Sequence, residues 1–225
     1  MSITARAISL PINVYLKLTP NNQVIPLIEH FNQFLQQKKL LSTYHVKPFI
    51  LTHPLHITLY LATYEETQIS AVIKQTQDLA QKQKNISIAT ERFHASTSGY
   101  VMLALEQNER LQQLSNKTLS QLAELRDQHA STPDWASKDR KRQELFKQWG
   151  SPSVMSYYQP HFSVFDPEHL SPKQRATLYQ KLQLLIGQFS KVHDVKVKAT
   201  AYAIGVGIAD AQGQIIKELD SFPLS

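Results

Sequence analysis

The sequence predicts an α+β fold built from two pseudo-symmetric halves, and three observations carry that expectation. Alternating apolar segments, the pattern of half-buried strands, are separated by segments whose apolar residues recur at three- and four-residue steps, the pattern of amphipathic helices. The order of these segments repeats: NVYLKL, helix, HITLYL, helix and two strands are followed by YVMLALE, helix, HFSVF, helix and two strands. The final strand of the first unit also starts the second, so the halves are expected to interlock rather than separate as beads. With 225 residues the chain can bury a sizeable core as a single body spanning 1–225.

The first strand is expected between Ile8 and Leu18, where Leu10, Ile12, Val14, Tyr15, Leu16 and Leu18 mostly alternate. Asn21 or Asn22 can cap a helix carrying Val24, Leu27, Ile28, Phe31, Phe34 and Leu35 on one face and ending before Thr43. A loop with Pro48 and Pro54 leads into HITLYL, where Ile57, Leu59 and Leu61 face one way and His56, Thr58 and Tyr60 the other. A helix follows from about Glu65 to Gln83, then strands at Ile86 to Phe93 and Tyr100 to Glu106, joined through Thr97, Ser98 and Gly99. The third helix runs from about Asn108 to Leu125. HFSVF at His161 to Phe165 is a strand, and Ser171 with Pro172 starts a helix carrying Leu178, Leu182 and Leu185 toward Phe189. The chain closes with strands near Val192 to Gly207 and Ile215 to Phe222, linked by Ala211, Gln212 and Gly213. The second unit is longer before its histidine, and the excess at 129–158 reads as an insertion with a short helix, Pro133, Trp135, a charged run at 139–142 and Trp149. Its tryptophans and basic residues suit an extended anionic ligand, so it is expected to border the active site, the alternative being a surface elaboration.

The 24 Lys and Arg against 18 Asp and Glu give a net charge of +6, which favours anionic ligands without requiring them. The absence of cysteine removes disulfides, thiolate zinc sites and cysteine nucleophiles, and is compatible with either redox compartment. No apolar run approaches the roughly 18 residues of a membrane span. The N-terminus lacks a basic segment followed by an unbroken apolar stretch, so a cytoplasmic protein with no signal peptide and no membrane association is expected.

Four histidines have Ser or Thr two positions later: His56, His94, His129 and His161. His94 and His129 precede turn-like segments, whereas His56 and His161 each sit in an apolar strand just after a proline. Residues i and i+2 of a strand share a face, so His56 projects with Thr58, and His161 with Ser163. Found once, such a pair reads as a structural histidine. At matching places in two repeat units it reads as a site, with pseudo-symmetry bringing the pairs face to face.

On these motifs, His56-Ile57-Thr58-Leu59 and His161-Phe162-Ser163-Val164, and on the repeat from about Ile12 to Phe222, the chain resembles the 2H phosphoesterase superfamily, which includes bacterial 2'-5' RNA ligase-like proteins and cyclic phosphodiesterases. The segment GYVMLALEQNERLQQL is similar to the family's strand entering the helix that links its halves. The resemblance implies a bilobal fold, with antiparallel sheets lining a central water-filled cleft and helices outside. It implies RNA or a nucleotide as the phosphodiester substrate, either a 2',3'-cyclic phosphate or a 2'-5' linkage.

The chemistry of the residues is compatible with that picture. Imidazole titrates near pH 6.5, so one ring can accept a proton while the other donates one. His56 and His161 would serve as base and acid in either order, and the hydroxyls of Thr58 and Ser163 would donate to the non-bridging phosphate oxygens without a metal or other cofactor. Tyr60 and Phe165, four residues beyond their histidines, are placed on the same strand parity and could stack on bases, the alternative being a hydrophobic floor. Tyr157 and Tyr158 are candidates for the rim. The protein is expected to act as a monomer.

Three rival readings are weighed against this one. A metal site at His53 and His56, with His45, is disfavoured because i and i+3 face opposite ways in a strand, and no HExxH motif is present. Phosphate-loop and dinucleotide motifs need a glycine-rich turn that the six glycines do not form. A nucleotide- or RNA-binding module without turnover would keep the cleft and lose the chemistry, against which stand both histidines and both hydroxyls.

Overall fold

A computed structural model describes residues 8–225; of the segment 1–18 on which the expected absence of a signal peptide rests, residues 1–7 lie outside them. The alternating and helical segments fold as β1 (Ser9–Leu18), α1 (Val24–Gln37), a short α2 (Leu40–Thr43), β2 (Ile57–Glu65), α3 (Ile69–Ala80), β3 (Ile86–Ala95), β4 (Val101–Leu105), α4 (Glu109–Leu122), α5 (Arg140–Trp149), β5 (His161–Phe165), α6 (Pro172–Val192), β6 (Lys198–Ala209) and β7 (Ile215–Pro223). Two boundaries differ from the sequence expectation. The first helix breaks at Lys39, whose φ of +57° is left-handed, and resumes as α2 to bury Leu40 and Leu41. The last helix continues to Val192, and its end is packed by His193 stacking on Phe189 at 4.3 Å. Val195 and Val197 alternate with polar residues as a strand would, yet β6 begins only at Lys198.

All strand pairings are antiparallel, in the order β2-β1-β6-β3-β4-β5, with β7 beside β6. Exchanging the repeats (β1 for β4, β2 for β5, β3 for β6) reverses this order onto itself. The third strand of each unit therefore pairs with the first strand of the other, which is how the halves interlock. The junction is narrow: Ile86–Ala89 of β3 meets Lys198–Ala201 of β6, and β7 takes the edge of β6 from Ala203 to Ala209 that β3 leaves. The sheet curls so that its outer strands, β2 and β5, touch.

Helices follow the same exchange. α4 packs on β2 and α3, while α1 packs on α6, and Phe31 of α1 stacks on Phe93 of β3 at 3.9 Å. Ser171 and Gln174 form a reciprocal capping box at the start of α6, satisfying donors that its first turn leaves free. Buried apolar side chains from all seven strands join one contiguous core.

Residues 129–158 form α5 between two short 3-10 turns. Asp139 caps α5 by accepting from the Lys141 and Arg142 amides at 3.0 and 3.1 Å. Gly150, at φ +69°, ends it, and the Arg126 guanidinium donates to the carbonyls of Lys147 and Gln148 at 3.3 and 3.0 Å. Arg142 lies between the rings of Trp135 and Tyr157, 5.4 and 5.1 Å from their centroids.

Candidate active site

His56 stands at the entry to β2, and its Nδ1 is 3.0 Å from the Pro54 carbonyl oxygen. His161 opens β5, with Nδ1 2.7 Å from the Gln159 carbonyl oxygen. A carbonyl can only accept, so in both rings Nδ1 carries the hydrogen and Nε2 of the neutral ring keeps its lone pair. The two motifs thus repeat down to the tautomer, each histidine bonding to the carbonyl two residues before it.

The hydroxyls are held in parallel ways. Asn13 of β1 donates from Nδ2 to Thr58 Oγ1 at 2.9 Å, and the same nitrogen lies 3.4 Å from His56 Nε2. Tyr100, just before β4, shares a short hydrogen bond between its hydroxyl and Ser163 Oγ. Tyr15 meets the His56 ring edge-on at 5.4 Å, as Tyr100 meets His161 at 6.2 Å. A small, shallow pocket is lined by both His56 and Ser163, which brings the first motif's ring to the second motif's hydroxyl. Its remaining walls come from Phe49, Ile50, His53, Pro54, Leu55 and Gln214.

Burial holds His56 below the ordinary imidazole range, against the opposing pull of the Pro54 carbonyl, and His161 adds a smaller push in the same direction because two cations this near each other repel. Burial likewise lowers His161, opposed by the Gln159 carbonyl. His56 is 5 % exposed, so it sits deeper than an open, water-filled cleft would leave it.

Two expected substrate contacts, Tyr60 and Phe165, are placed elsewhere. The β2 ladder pairs Thr58 with Tyr15 and Tyr60 with Val14, leaving Leu59 as a bulge, and β5 pairs Ser163 with Met102 and Phe165 with Val101, leaving Val164 as a bulge. An extra residue reverses the alternation beyond it. Tyr60 and Phe165 therefore turn into the core, at 1 % and 0 % exposure, and neither is available to stack on a base. Tyr60 instead donates its hydroxyl to the Trp149 carbonyl at the end of α5. Tyr158 donates to the Thr58 carbonyl at 3.0 Å, while Ser115 of α4 donates to the Leu59 carbonyl at 2.8 Å, so side chains satisfy the free edge of β2. The insertion docks on the outer side of β2 through Tyr60 and Arg126, and its last residue, Tyr158, reaches the site.

Asn13, Tyr15 and Tyr100 are site residues that sequence reasoning misses. The available signal is a polar residue inside an apolar strand: Asn13 is fully buried between Ile12 and Val14. His53 lies 3.6 Å from Asp210 Oδ2 and bonds Thr52 Oγ1 at 2.9 Å, while His45 is exposed. Among the described residues no group of three or more His, Asp or Glu side chains is arranged to hold a metal ion, and no helix is long and apolar enough to cross a membrane.

Residues 26–186, which contain both motifs, match the family model of the 2'-5' RNA ligase superfamily, and the chain belongs to that family, the 2H phosphoesterases. Among solved structures it is similar to Usb1 of Kluyveromyces marxianus (TM-score 0.57, 12% identity, 95% of this chain and 98% of that one). It is similar to TT0787 of Thermus thermophilus (TM-score 0.54, 13% identity, 96% and 98%). E. coli LigT complexed with 3'-AMP also shares the fold (TM-score 0.52, 13% identity, 97% and 99%), as does LigT complexed with NADP+ (TM-score 0.51, 13% identity, 96% and 98%). No curated protein matches the chain by sequence.

Proposed function

We propose that the protein is a metal-independent phosphodiesterase acting on RNA or a nucleotide, at a 2',3'-cyclic phosphate or a 2'-5' linkage. The observation that carries this reading is the matched pair of Nδ1-to-carbonyl hydrogen bonds, which puts the hydrogen on Nδ1 and leaves the Nε2 lone pair of each neutral histidine for proton transfer. One neutral Nε2 takes the proton from water as its oxygen attacks phosphorus. The other ring, protonated at Nε2, passes its proton to the departing ribose oxygen as the P–O bond breaks, yielding a phosphomonoester and a free hydroxyl. Each transfer is worth about 10²–10⁴-fold. Thr58 and Ser163 donate to the non-bridging oxygens, where charge accumulates. The 3'-AMP and NADP+ complexes of LigT support a nucleotide as ligand of this fold.

Turnover of 2',3'-cyclic nucleotides and of short 2'-5' and 3'-5' oligonucleotides, measured in excess EDTA, tests the reading. Phosphomonoester formation on the cyclic or 2'-5' substrates is expected. Activity lost to EDTA and restored by zinc or manganese overturns the two-histidine chemistry, and binding without any turnover makes the protein a nucleotide-binding module.

A further inference from the structure

Asn13 and Tyr100 occupy equivalent places in the two repeats. Val14 lies opposite Tyr60 and Val101 opposite Phe165, each beside a bulge, and Asn13 and Tyr100 immediately precede those valines. They are chemically unlike, yet each ends on the hydroxyl oxygen of a motif residue, Thr58 or Ser163.

The direction of the Asn13 bond is fixed by a third group. Its Nδ2 is also 2.9 Å from the carbonyl oxygen of Gly213, which can only accept, so the amide must present its nitrogen to this side. Gly213 holds φ +80° in the turn between β6 and β7, a conformation that suits glycine and aims that carbonyl at β1. The cost of the arrangement is visible: Asn13 Oδ1 is buried with no hydrogen-bond partner among the described residues, so the amide is held for its donors. Burial pushes the Tyr100 phenol up to about 12, so it stays protonated, and of the two hydroxyls that share this hydrogen bond, either of which can donate, it is the more acidic.

We infer that Asn13 and Tyr100 are positioning residues that make Thr58 and Ser163 one-way donors: each fills a lone pair of the hydroxyl oxygen and leaves its hydrogen to point at the phosphate. This rests on the phosphodiesterase reading. A serine or threonine hydroxyl has one hydrogen and rotates to suit its neighbours. With a donor already on the oxygen, that hydrogen is free for a non-bridging phosphate oxygen, and no reorientation is needed when charge builds there.

A double-mutant cycle reads this role directly. Tyr100→Phe removes one oxygen, and kcat should fall on the order of tenfold with KM changed by less than about 2-fold, a part of the ~10²–10³-fold lost when such a donor is removed outright. In a Ser163→Ala background the same substitution should be silent, because Tyr100 acts only through the Ser163 hydroxyl. Asn13→Ala should show the same dependence on Thr58, and where that buried substitution prevents folding, the Tyr100 cycle decides. Equal losses from Tyr100→Phe in both backgrounds, or no loss in the wild-type background, would overturn the inference while leaving the phosphodiesterase reading intact. A wild-type protein without turnover on any phosphodiester would remove both.

Discussion

Leu59 and Val164 hold the same place in the two repeats: each is the unpaired residue three positions beyond its motif histidine. The bulge keeps His and Thr or Ser on the site face and sends the next aromatic, Tyr60 or Phe165, into the core. These aromatics are therefore stability residues. Phe165→Leu should cost roughly 1–2 kcal/mol, between a near-isosteric core swap and full truncation, and Tyr60→Phe about 1 kcal/mol for the lost bond to Trp149. Urea denaturation measures the cost, and the ratio of turnover on purine and pyrimidine substrates should not move. A changed ratio at unchanged stability would return these rings to the substrate.

Gly150 links the insertion to the body. At φ +69° it is left-handed, and a Cβ there would lie 2.4 Å from Arg126 Cδ, displacing the side chain that donates to the last carbonyls of α5. Gly150→Ala should cost about 1–3 kcal/mol and speed proteolytic cleavage within 129–158. Turnover of a mononucleotide should hold within about 2-fold, because the pocket walls come from segments outside 129–158, among them His53, His56, Ser163 and Gln214. Unchanged proteolysis would mean that Arg126 is not what fastens α5.

The repeat order and both His and hydroxyl pairs were legible in the sequence because they depend on local periodicity, and the structure brings His56 and Ser163 to one pocket. The fate of Tyr60 and Phe165 was not legible. A bulge at leucine or valine carries no glycine to mark it, and parity counted through the strand then fails beyond it. Asn13 and Thr58 are 45 residues apart and meet only through strand register, as do Tyr100 and Ser163 at 63. The extension of α6 to Val192 was hidden for another reason: Val195 and Val197 satisfy a strand pattern just beyond it, and the packing of Phe189 with Phe31, Phe93 and His193 holds the helix to its end.

Both histidines lie below the ordinary imidazole range, chiefly through burial, and this has two pH consequences. A histidine lowered in the folded state binds its proton more readily when unfolded. Stability is then full above the unfolded value and is lost as the pH falls through it toward the folded value. The urea midpoint should drop as the pH falls below about 6.5, and by less in His56→Asn and His161→Asn than in the wild type. For activity, one ring must be neutral and the other charged, so kcat/KM should be bell-shaped with its optimum on the acid side of the ordinary imidazole value. An anionic substrate favours both cations, so the kcat optimum should lie at higher pH. A kcat/KM optimum above neutrality would contradict the assignment of both limbs to these rings.

The histidine variants separate the proton transfers from the scaffold. Because His56 is buried, truncation to alanine would open a cavity beside Asn13 and confound chemistry with folding. Asparagine is the cleaner change, since its amide nitrogen can replace Nδ1 as donor to the Pro54 or Gln159 carbonyl while nothing replaces Nε2. His56→Asn and His161→Asn should each lose at least about 10²-fold in kcat, with melting temperatures close to wild type. Thr58→Ala and Ser163→Ala should lose less or comparably, each removing one of several phosphate donors. The double histidine variant should be little worse than either single one, because base and acid act in one step and the loss of either already stalls it. Independent, multiplying losses would mean that the two rings serve separate steps, and full activity in either single variant would remove that ring from the chemistry.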